Sequence, residues 1–193
     1  MSFKKSEHYG LKQILDWKTS DGDKNHTSTA TDYDLPKEFS WRKKMPECLG
    51  LIQNQGDCGS CWAFTSAGLV SDRLCIHSSG SIDVRLSAQE MVNCNYENYG
   101  CMGGYLITSV DYMINEGTVS ESCVPYIEDA KTCGFTCANG TRDNYQKYYC
   151  RPGSLVLATS EEEIKRELYY GGPMLMGLQI WEDFMNYESG VYK

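Results

Sequence analysis

The sequence lacks any long apolar segment: no stretch approaches the roughly eighteen consecutive apolar residues that a membrane-spanning helix requires. Its start, Met1 to Lys5, has no apolar run after the lysines, so no secretory signal peptide is visible. Basic residues are in the minority, with 18 Lys and Arg against 26 Asp and Glu and a net charge of −8. Because phosphate binding needs clustered Lys and Arg, we expect neither nucleic acid nor a membrane as a partner.

Low-complexity sequence is also missing, and the composition is that of a folded protein. With 193 residues, 41% hydrophobic and 12% aromatic, it can bury one sizeable core or two small lobes. Ten cysteines are too many for a routine cytosolic enzyme, and they predict a disulfide-rich fold from a non-cytosolic compartment. An oxidising compartment and a missing signal peptide do not fit together, so we expect the chain to be part of a longer precursor.

The first 34 residues differ in character from the rest. Residues 1–17 hold one weak helical pattern, and residues 18–34 are polar and nearly free of large apolar side chains. Such a segment buries too little surface to offset the entropy lost on ordering. We therefore divide the chain into a polar leader or propeptide remnant, residues 1–34, and a folded domain, residues 35–193.

Helical signals dominate the first part of the folded domain. Apolar periodicity predicts one long helix that opens at Ser60 or Cys61, and capping boxes open two more, Ser87-x-x-Glu90 and Ser160-x-x-Glu163. Residues 105–116 are a further helical candidate, ended by Gly117. Only near the end do apolar residues alternate with period two, which predicts a strand over 174–180.

The segment Gln55 to Phe64 carries the chemistry. Cys61 lies at the predicted start of a helix, where unpaired N–H groups and the helix dipole favour a thiolate. Gly59 and Ser60 are small enough to let a substrate backbone approach the sulfur. The amide of Gln55 and the backbone N–H of Cys61 would supply the two donors that a developing oxyanion needs. These features together describe acyl transfer through a covalent thioester.

Three other interpretations of the Cys58-x-x-Cys61 pair remain open at this point. The pair is also typical of a thioredoxin-like redox site, although that fold needs a flanking βαβ unit and strand signals come late here. It would equally serve as half of a zinc site with Cys133-x₃-Cys137, which leaves six further cysteines to explain. Both cysteines would be purely structural in the third interpretation.

The run Gln55-x-x-Cys58-Gly-Ser-Cys61-Trp62 resembles the nucleophile signature of papain-like cysteine proteases and cathepsins. Similar short motifs continue along the chain at residues 35–36, 71–77, 101–105, 172–173 and 189–192, and those at 71–77 are closest to cathepsin B. This resemblance implies an α+β, disulfide-rich, papain-like two-lobe fold. The helical left lobe would be complete and the β-barrel right lobe only begun.

By the same resemblance, Cys61 would be the nucleophile and Gln55 the side chain of the oxyanion hole. Gly103 and Gly104 would offer backbone hydrogen bonds to an extended peptide substrate, and Tyr105 would line a specificity pocket. The family implies no cofactor and no metal, and a lysosomal, vacuolar or secreted location. The stretch from Cys123 to Cys133 lacks the histidines and extra cysteines of the cathepsin B occluding loop, which implies endopeptidase activity.

The resemblance also sorts the cysteines. Cathepsin B-like pairing implies four disulfides, Cys48–Cys75, Cys58–Cys101, Cys94–Cys133 and Cys123–Cys137. Cys61 would stay free for catalysis. Cys150 would be left without a partner in this chain, either as a buried thiol or paired outside it.

A thiol protease also needs a general base and a group that orients it, a His and an Asn about 130–150 residues after the nucleophile in this family. The last histidine here is His77, roughly 24 Å from Cys61 if both lie on one helix. We therefore expect a cysteine endopeptidase whose isolated chain is inactive, with a second chain or a longer reading frame supplying both residues. The alternative is a non-catalytic, disulfide-stapled binding or structural module derived from a cathepsin.

Overall fold

The computed structural model describes residues 35–140 and 145–192, so the predicted leader, residues 1–34, lies outside the described residues. The described ranges hold five α-helices: α1 (Trp41–Lys44), α2 (Cys61–His77), α3 (Ala88–Cys94), α4 (Leu106–Asn115) and α5 (Glu161–Tyr170). Single 3₁₀ turns lie at Pro46–Cys48 and Gly100–Met102, and a longer one at Glu182–Asn186. None of the helices described combines the length and apolar character needed to cross a membrane.

Helix α2 is the central element of the core, and α3 and α4 pack against it. One side of α2 is buried along its whole length, through Trp62, Ala63, Ser66, Ala67, Val70, Ser71, Leu74, Cys75 and Ile76. The small residue Ser66 faces Ser109 of α4, and their hydroxyls share a hydrogen bond. Small side chains at this crossing let the two helices approach closely. The predicted start of this helix at Ser60 or Cys61 is therefore confirmed, with Cys61 as its first residue.

Helix α3 begins at the predicted cap, but the capping box is only half formed. The Ser87 hydroxyl accepts a hydrogen bond from the Glu90 backbone N–H at 2.9 Å, as an N-cap should. The Glu90 carboxylate does not return to the Ser87 N–H, which donates instead to the Val119 carbonyl. Glu90 turns inward to Tyr112 and other polar groups of the core. The expected reciprocal box was thus wrong, because a tertiary contact outcompetes the local one.

The predicted ends of α4 and α5 are confirmed to within a residue. Gly117 follows α4 with a φ of 66°, the left-handed conformation that glycine adopts at little cost. Ser160 and Glu163 form the complete reciprocal box at the start of α5. Helix α5 then meets the end of α2, where Arg73 pairs with Glu167 at 2.9 Å and His77 bonds to the Gly171 carbonyl.

The strand predicted for residues 174–180 is not formed. Within the two described ranges, sheet structure is limited to two isolated antiparallel bridges, Leu86–Ser120 and Thr118–Tyr148. Met176, Leu178 and Ile180 are 73%, 57% and 50% exposed. A strand is defined by hydrogen bonds to a neighbouring strand, and no described segment makes such backbone bonds with residues 174–180. The period-two pattern is present in the sequence, but its pairing partner is not among the described residues.

Candidate active site

Cys61 is an exposed free thiol on the first residue of α2. The carbonyl of Ser60 accepts from the N–H groups of Ala63 at 2.9 Å and Phe64 at 3.1 Å, so the helix is established from its first turn. The Cys61 and Trp62 N–H groups have no hydrogen-bond partner among the residues described. A sulfur at this position therefore meets the positive end of the helix dipole and two available donors.

The disulfides separate Cys61 from its neighbour Cys58. The structure contains Cys48–Cys75, Cys58–Cys101, Cys94–Cys133 and Cys123–Cys137, the same four pairs that the family resemblance implies. Because Cys58 is bonded to Cys101, a Cys58–Cys61 redox dithiol is excluded. Cys133 and Cys137 lie in different disulfides, which excludes the zinc alternative as well. Among the described residues, no group of three or more His, Cys, Asp or Glu could hold a metal.

Gln55 lies on the turn that precedes α2. Its side-chain Nε2 donates to the Cys58 carbonyl at 2.9 Å, which holds the amide against the turn. The Gln55 backbone carbonyl accepts from the hydroxyl of Tyr126 at 2.7 Å. Both ends of this residue are therefore fixed, and its amide keeps a second N–H for another acceptor.

Gly59 and Ser60 pack within the turn that leads to Cys61. The Gly59 N–H donates to the Cys101 carbonyl at 2.7 Å, and a Cβ at Gly59 would lie 2.6 Å from that oxygen. The Ser60 side chain is fully buried, and its hydroxyl lies 2.6 Å from the Tyr126 hydroxyl. The small size of Gly59 is needed for this packing behind Cys61. The part of both residues in letting a substrate approach the sulfur stays a prediction.

Tyr126 is a residue of this site that the sequence did not reveal. Its hydroxyl contacts Gln55 and Ser60, which are 71 and 66 positions away in sequence. Its ring packs edge-on against Phe64 of α2, with centroids 4.5 Å apart. No local motif marks such a residue, because its role depends on a contact between distant parts of the chain.

The glycine pair beside the site has two different structural roles. Gly103 has φ 113° and ψ −176°, a conformation that is essentially restricted to glycine, and open space lies beside it. A Cβ on Gly104 would come within 2.7 Å of the Asn98 side chain and 2.8 Å of the Trp62 ring. Tyr105, whose N–H donates to Asn98 at 2.8 Å, is 62% exposed. Gly103 thus has open space where a side chain would lie, and its carbonyl accepts from the Tyr99 N–H at 3.0 Å. Gly104, in contrast, is required by packing.

His77, the one histidine in the described ranges, lies at the other end of α2 from Cys61. Its Nε2 donates to the Gly171 carbonyl at 2.7 Å. Burial lowers its pKa below the ordinary value of 6.5, and the nearby Arg73 acts in the same direction. Sixteen helical steps correspond to roughly 24 Å, so this imidazole cannot reach the Cys61 sulfur.

Comparison with known proteins agrees with this geometry. The chain is 34% identical over 173 residues to "Cathepsin B-like CP2" of Giardia intestinalis, a match that covers 86% of this chain and 56% of that protein. It is 34% identical over 182 residues to "Cathepsin B-like cysteine proteinase 3" of Caenorhabditis elegans, covering 82% and 49% respectively. The chain thus spans about half the length of the curated relatives it matches.

A solved structure shares the fold. The procathepsin B S9 of Trypanosoma congolense superposes with a TM-score of 0.62 at 28% identity, over 76% of this chain and 55% of that one. The profile of the papain family of cysteine proteases matches residues 35–193, which include α1 to α5 and all the residues discussed above. The fold is papain-like, the relatives are cathepsin B-like, and the chain belongs to the papain family of cysteine proteases.

Proposed function

We propose that this chain provides the nucleophile-bearing part of a cysteine endopeptidase, which hydrolyses peptide bonds through a thioester on Cys61. The observation that carries the proposal is the exposed free thiol at the N-terminus of α2, beside two N–H groups without partners in the described structure. An extended peptide would bind along Gly103, which has open space at the Cβ position, with the exposed Tyr105 next to it.

The reaction would begin with attack of the Cys61 thiolate on the scissile carbonyl carbon. The carbonyl electrons move to oxygen, and the backbone N–H of Cys61 and the free N–H of Gln55 would stabilise that oxyanion. Loss of one such donor typically removes about 3 kcal/mol of transition-state stabilisation. The Cys58–Cys101 disulfide and the close packing of Gly104 would hold the substrate-binding backbone at a fixed distance from the Cys61 sulfur.

His77 would not be the general base, so the base and the Asn that orients it would have another source. His77 is held at the far end of α2 by its hydrogen bond to Gly171. The chain also matches only about half of the length of its relatives. A second chain, or a longer form of this one, would therefore be the catalytic partner. We expect the purified 193-residue chain to hydrolyse peptides negligibly, and robust thiol-dependent turnover by it would contradict this part of the proposal.

An epoxysuccinyl peptide tests whether Cys61 is an activated nucleophile. We expect one label per chain, on Cys61, and faster labelling of the native protein than of the urea-unfolded chain. A Cys61→Ser variant should take up no label under the same conditions. Equal rates for native and unfolded protein would show that the fold does not activate Cys61. That outcome would favour the second candidate, a non-catalytic binding or structural module, which the remote position of His77 supports.

The four disulfides support a location in a secretory or lysosome-like compartment, where cysteines are oxidised. Mass analysis of the protein from its natural source, alkylated before reduction, would test this. Four intact disulfides would support the proposed location, and four pairs of free thiols would contradict it.

A further inference from the structure

The hydroxyl of Tyr126 joins the two ends of the turn that leads into the nucleophile helix. It lies 2.7 Å from the backbone carbonyl of Gln55 and 2.6 Å from the hydroxyl of Ser60, the residue before Cys61. The two donors assigned to the oxyanion hole lie at these ends: the amide belongs to Gln55, and the second donor is the N–H of Cys61, which follows Ser60. We propose that Tyr126 is a positioning residue that fixes the spacing of these donors, an inference that rests on the proposed function.

The direction of the hydrogen bonds follows from the groups involved. A carbonyl only accepts, so Tyr126 must donate its single proton to Gln55. The 2.6 Å contact with Ser60 therefore requires that Ser60 donate to the Tyr126 oxygen. The Cys58 carbonyl lies further from the Ser60 hydroxyl, at 3.3 Å, and shares that proton weakly. Ser60, Tyr126 and Gln55 thus form one directed chain in which each bond strengthens the next.

Tyr126 is itself held from several sides, as a positioning residue must be. Its ring meets Phe64 of α2 edge-on, and its backbone N–H donates to Oε1 of Glu121 at 2.9 Å. Two residues earlier, the Val124 carbonyl accepts from the hydroxyl of Ser87, the N-cap of α3, at 2.6 Å. The position of the Tyr126 hydroxyl is therefore set by α2 and α3, not by the turn that it joins.

Removal of this hydroxyl should relax the turn without dismantling it. The Gln55 amide and the Ser60 hydroxyl would both keep the Cys58 carbonyl as an acceptor, and the Phe64 ring contact would remain in a phenylalanine variant. The separation of the Gln55 amide from the Cys61 N–H would no longer be fixed. A reaction that forms an oxyanion should therefore become slower, whereas the rate of a reaction that needs only the sulfur should not change.

Two reagents separate these effects on the purified chain. In acylation by para-nitrophenyl acetate, the Cys61 sulfur attacks the carbonyl carbon and forms an oxyanion, which collapses to a thioester as nitrophenolate leaves. In alkylation by iodoacetamide, the same sulfur displaces iodide and no oxyanion forms. We expect Tyr126→Phe to slow acylation about tenfold, below the ~100-fold loss typical of a deleted oxyanion donor, and to change alkylation less than twofold. An unchanged ratio of the two rates would overturn the proposal.

A matched variant controls for the loss of a tyrosine hydroxyl. The Tyr145 hydroxyl also donates, to the buried Glu90 carboxylate at 3.1 Å and the exposed Gly134 carbonyl at 2.9 Å, and none of its described contacts is with the turn. Tyr145→Phe should leave the ratio of acylation to alkylation unchanged. Background from other nucleophiles is measured on Cys61→Ser and subtracted. A fall in the ratio for Tyr145→Phe would mean that general destabilisation explains the effect, which also overturns the proposal.

Gln55→Ala distinguishes failure of this proposal from failure of the proposed function. If Gln55→Ala slows acylation and Tyr126→Phe does not, the oxyanion hole stands and Tyr126 has no part in positioning it. If Gln55→Ala has no effect on acylation, the oxyanion-hole assignment itself is wrong. Should both variants slow acylation, the double variant is expected to react no more slowly than Gln55→Ala alone, because the hydroxyl acts only through that amide.

Ser60→Ala provides a second lesion of the same hydrogen-bond chain if Tyr126→Phe fails to fold. It breaks the link at the α2 end and leaves the tyrosine and its bond to Gln55 in place. We expect a fall in the ratio of acylation to alkylation here as well, by about threefold, since only one of the two bonds is lost. A folded Ser60→Ala protein with an unchanged ratio would contradict a role of the chain in positioning.

Discussion

Lys147 Nζ lies 2.9 Å from Oε1 of Glu90, a carboxylate whose side chain is 1% exposed. The hydroxyls of Tyr112 and Tyr145 donate to the same carboxylate at 3.1 Å, and that of Thr118 donates at 2.8 Å. Burial, with a contribution from the charge of Glu90, raises the pKa of both tyrosines, so both keep their protons at neutral pH. This cluster ties α3 and α4 to the segments around residues 118 and 145–147.

Removal of the lysine should therefore be costly. In Lys147→Met the Glu90 charge would stay buried without its counter-ion, and breaking such a pair from one side typically costs 3–5 kcal/mol. We expect the free energy of unfolding to fall by about 3 kcal/mol, measured by urea denaturation.

Lys131 provides the matched control for this lysine. It pairs with Asp129, but both side chains are exposed, at 57% and 60%. Lys131→Met should cost less than about 1 kcal/mol, as is usual for exposed ion pairs. Similar losses from the two variants would contradict the view that burial makes the Glu90 pair important.

The two free cysteines should differ sharply in reactivity. Burial raises the pKa of the Cys150 thiol to about 11, whereas Cys61 is exposed at a helix N-terminus. Since the thiolate is the nucleophile, only about one Cys150 side chain in a thousand is reactive at pH 8. Iodoacetamide should label Cys61 first, as peptide mass mapping would show. In Cys61→Ser, labelling of Cys150 should accelerate about tenfold per pH unit from 8 to 10, and a plateau in that range would contradict this.

Substitution of two glycines by alanine should have opposite effects. A Cβ at Gly104 would overlap Asn98 and Trp62, which predicts a loss of about 1–3 kcal/mol in urea unfolding. Gly68 lies inside α2 with no atom within 4 Å of the position of a Cβ, so Gly68→Ala should gain up to about 1 kcal/mol from helix propensity. Stabilisation by Gly104→Ala would show that Trp62 and Asn98 can move aside.

His77 should make stability depend on pH. Its pKa in the folded protein lies below the ordinary value of 6.5, chiefly because of burial. Below pH 6.5 the unfolded chain takes up a proton that the folded chain resists, so this contribution to stability is lost as pH falls. His77→Gln retains a donor for the Gly171 carbonyl and does not titrate. Between pH 7.5 and 5 the parent chain should lose more free energy of unfolding than His77→Gln, and equal slopes would contradict the shift.

Local physics explains the parts of the fold that the sequence predicted well. The start of α2 at Cys61, the box at Ser160 and the stop at Gly117 each depend on residues within about four positions of one another. The half-formed box at Ser87 marks the limit of such reasoning. The local pattern predicts that the Glu90 carboxylate bonds to the Ser87 N–H. In the structure it bonds to buried polar groups such as the Tyr112 hydroxyl instead.

The site divides in the same way. The periodicity of apolar residues predicted that Cys61 lies at a helix N-terminus. The sequence also predicted that Gln55 lies on the turn before that helix. Tyr126 could not be found, because its contact with Gln55 spans 71 residues. The packing of Gly59 against Cys101 and of Ser60 against Tyr126 could not be predicted either, because these contacts join distant parts of the chain.

By itself, the sequence determined where helices begin and end and which residue type can act as a nucleophile, since those depend on periodicity, capping and chemistry within short segments. The four disulfides, Cys58–Cys101 among them, were implied by the family resemblance of the sequence and are present in the structure. The tertiary structure alone decided that the alternating residues 174–180 form no strand. The tertiary structure also decided that the Glu90 carboxylate accepts hydrogen bonds from buried groups of the core and that Tyr126 joins the turn to α2. The physical reason is that strand pairing and buried polar clusters need partners that are distant in sequence, and only the folded chain brings them together.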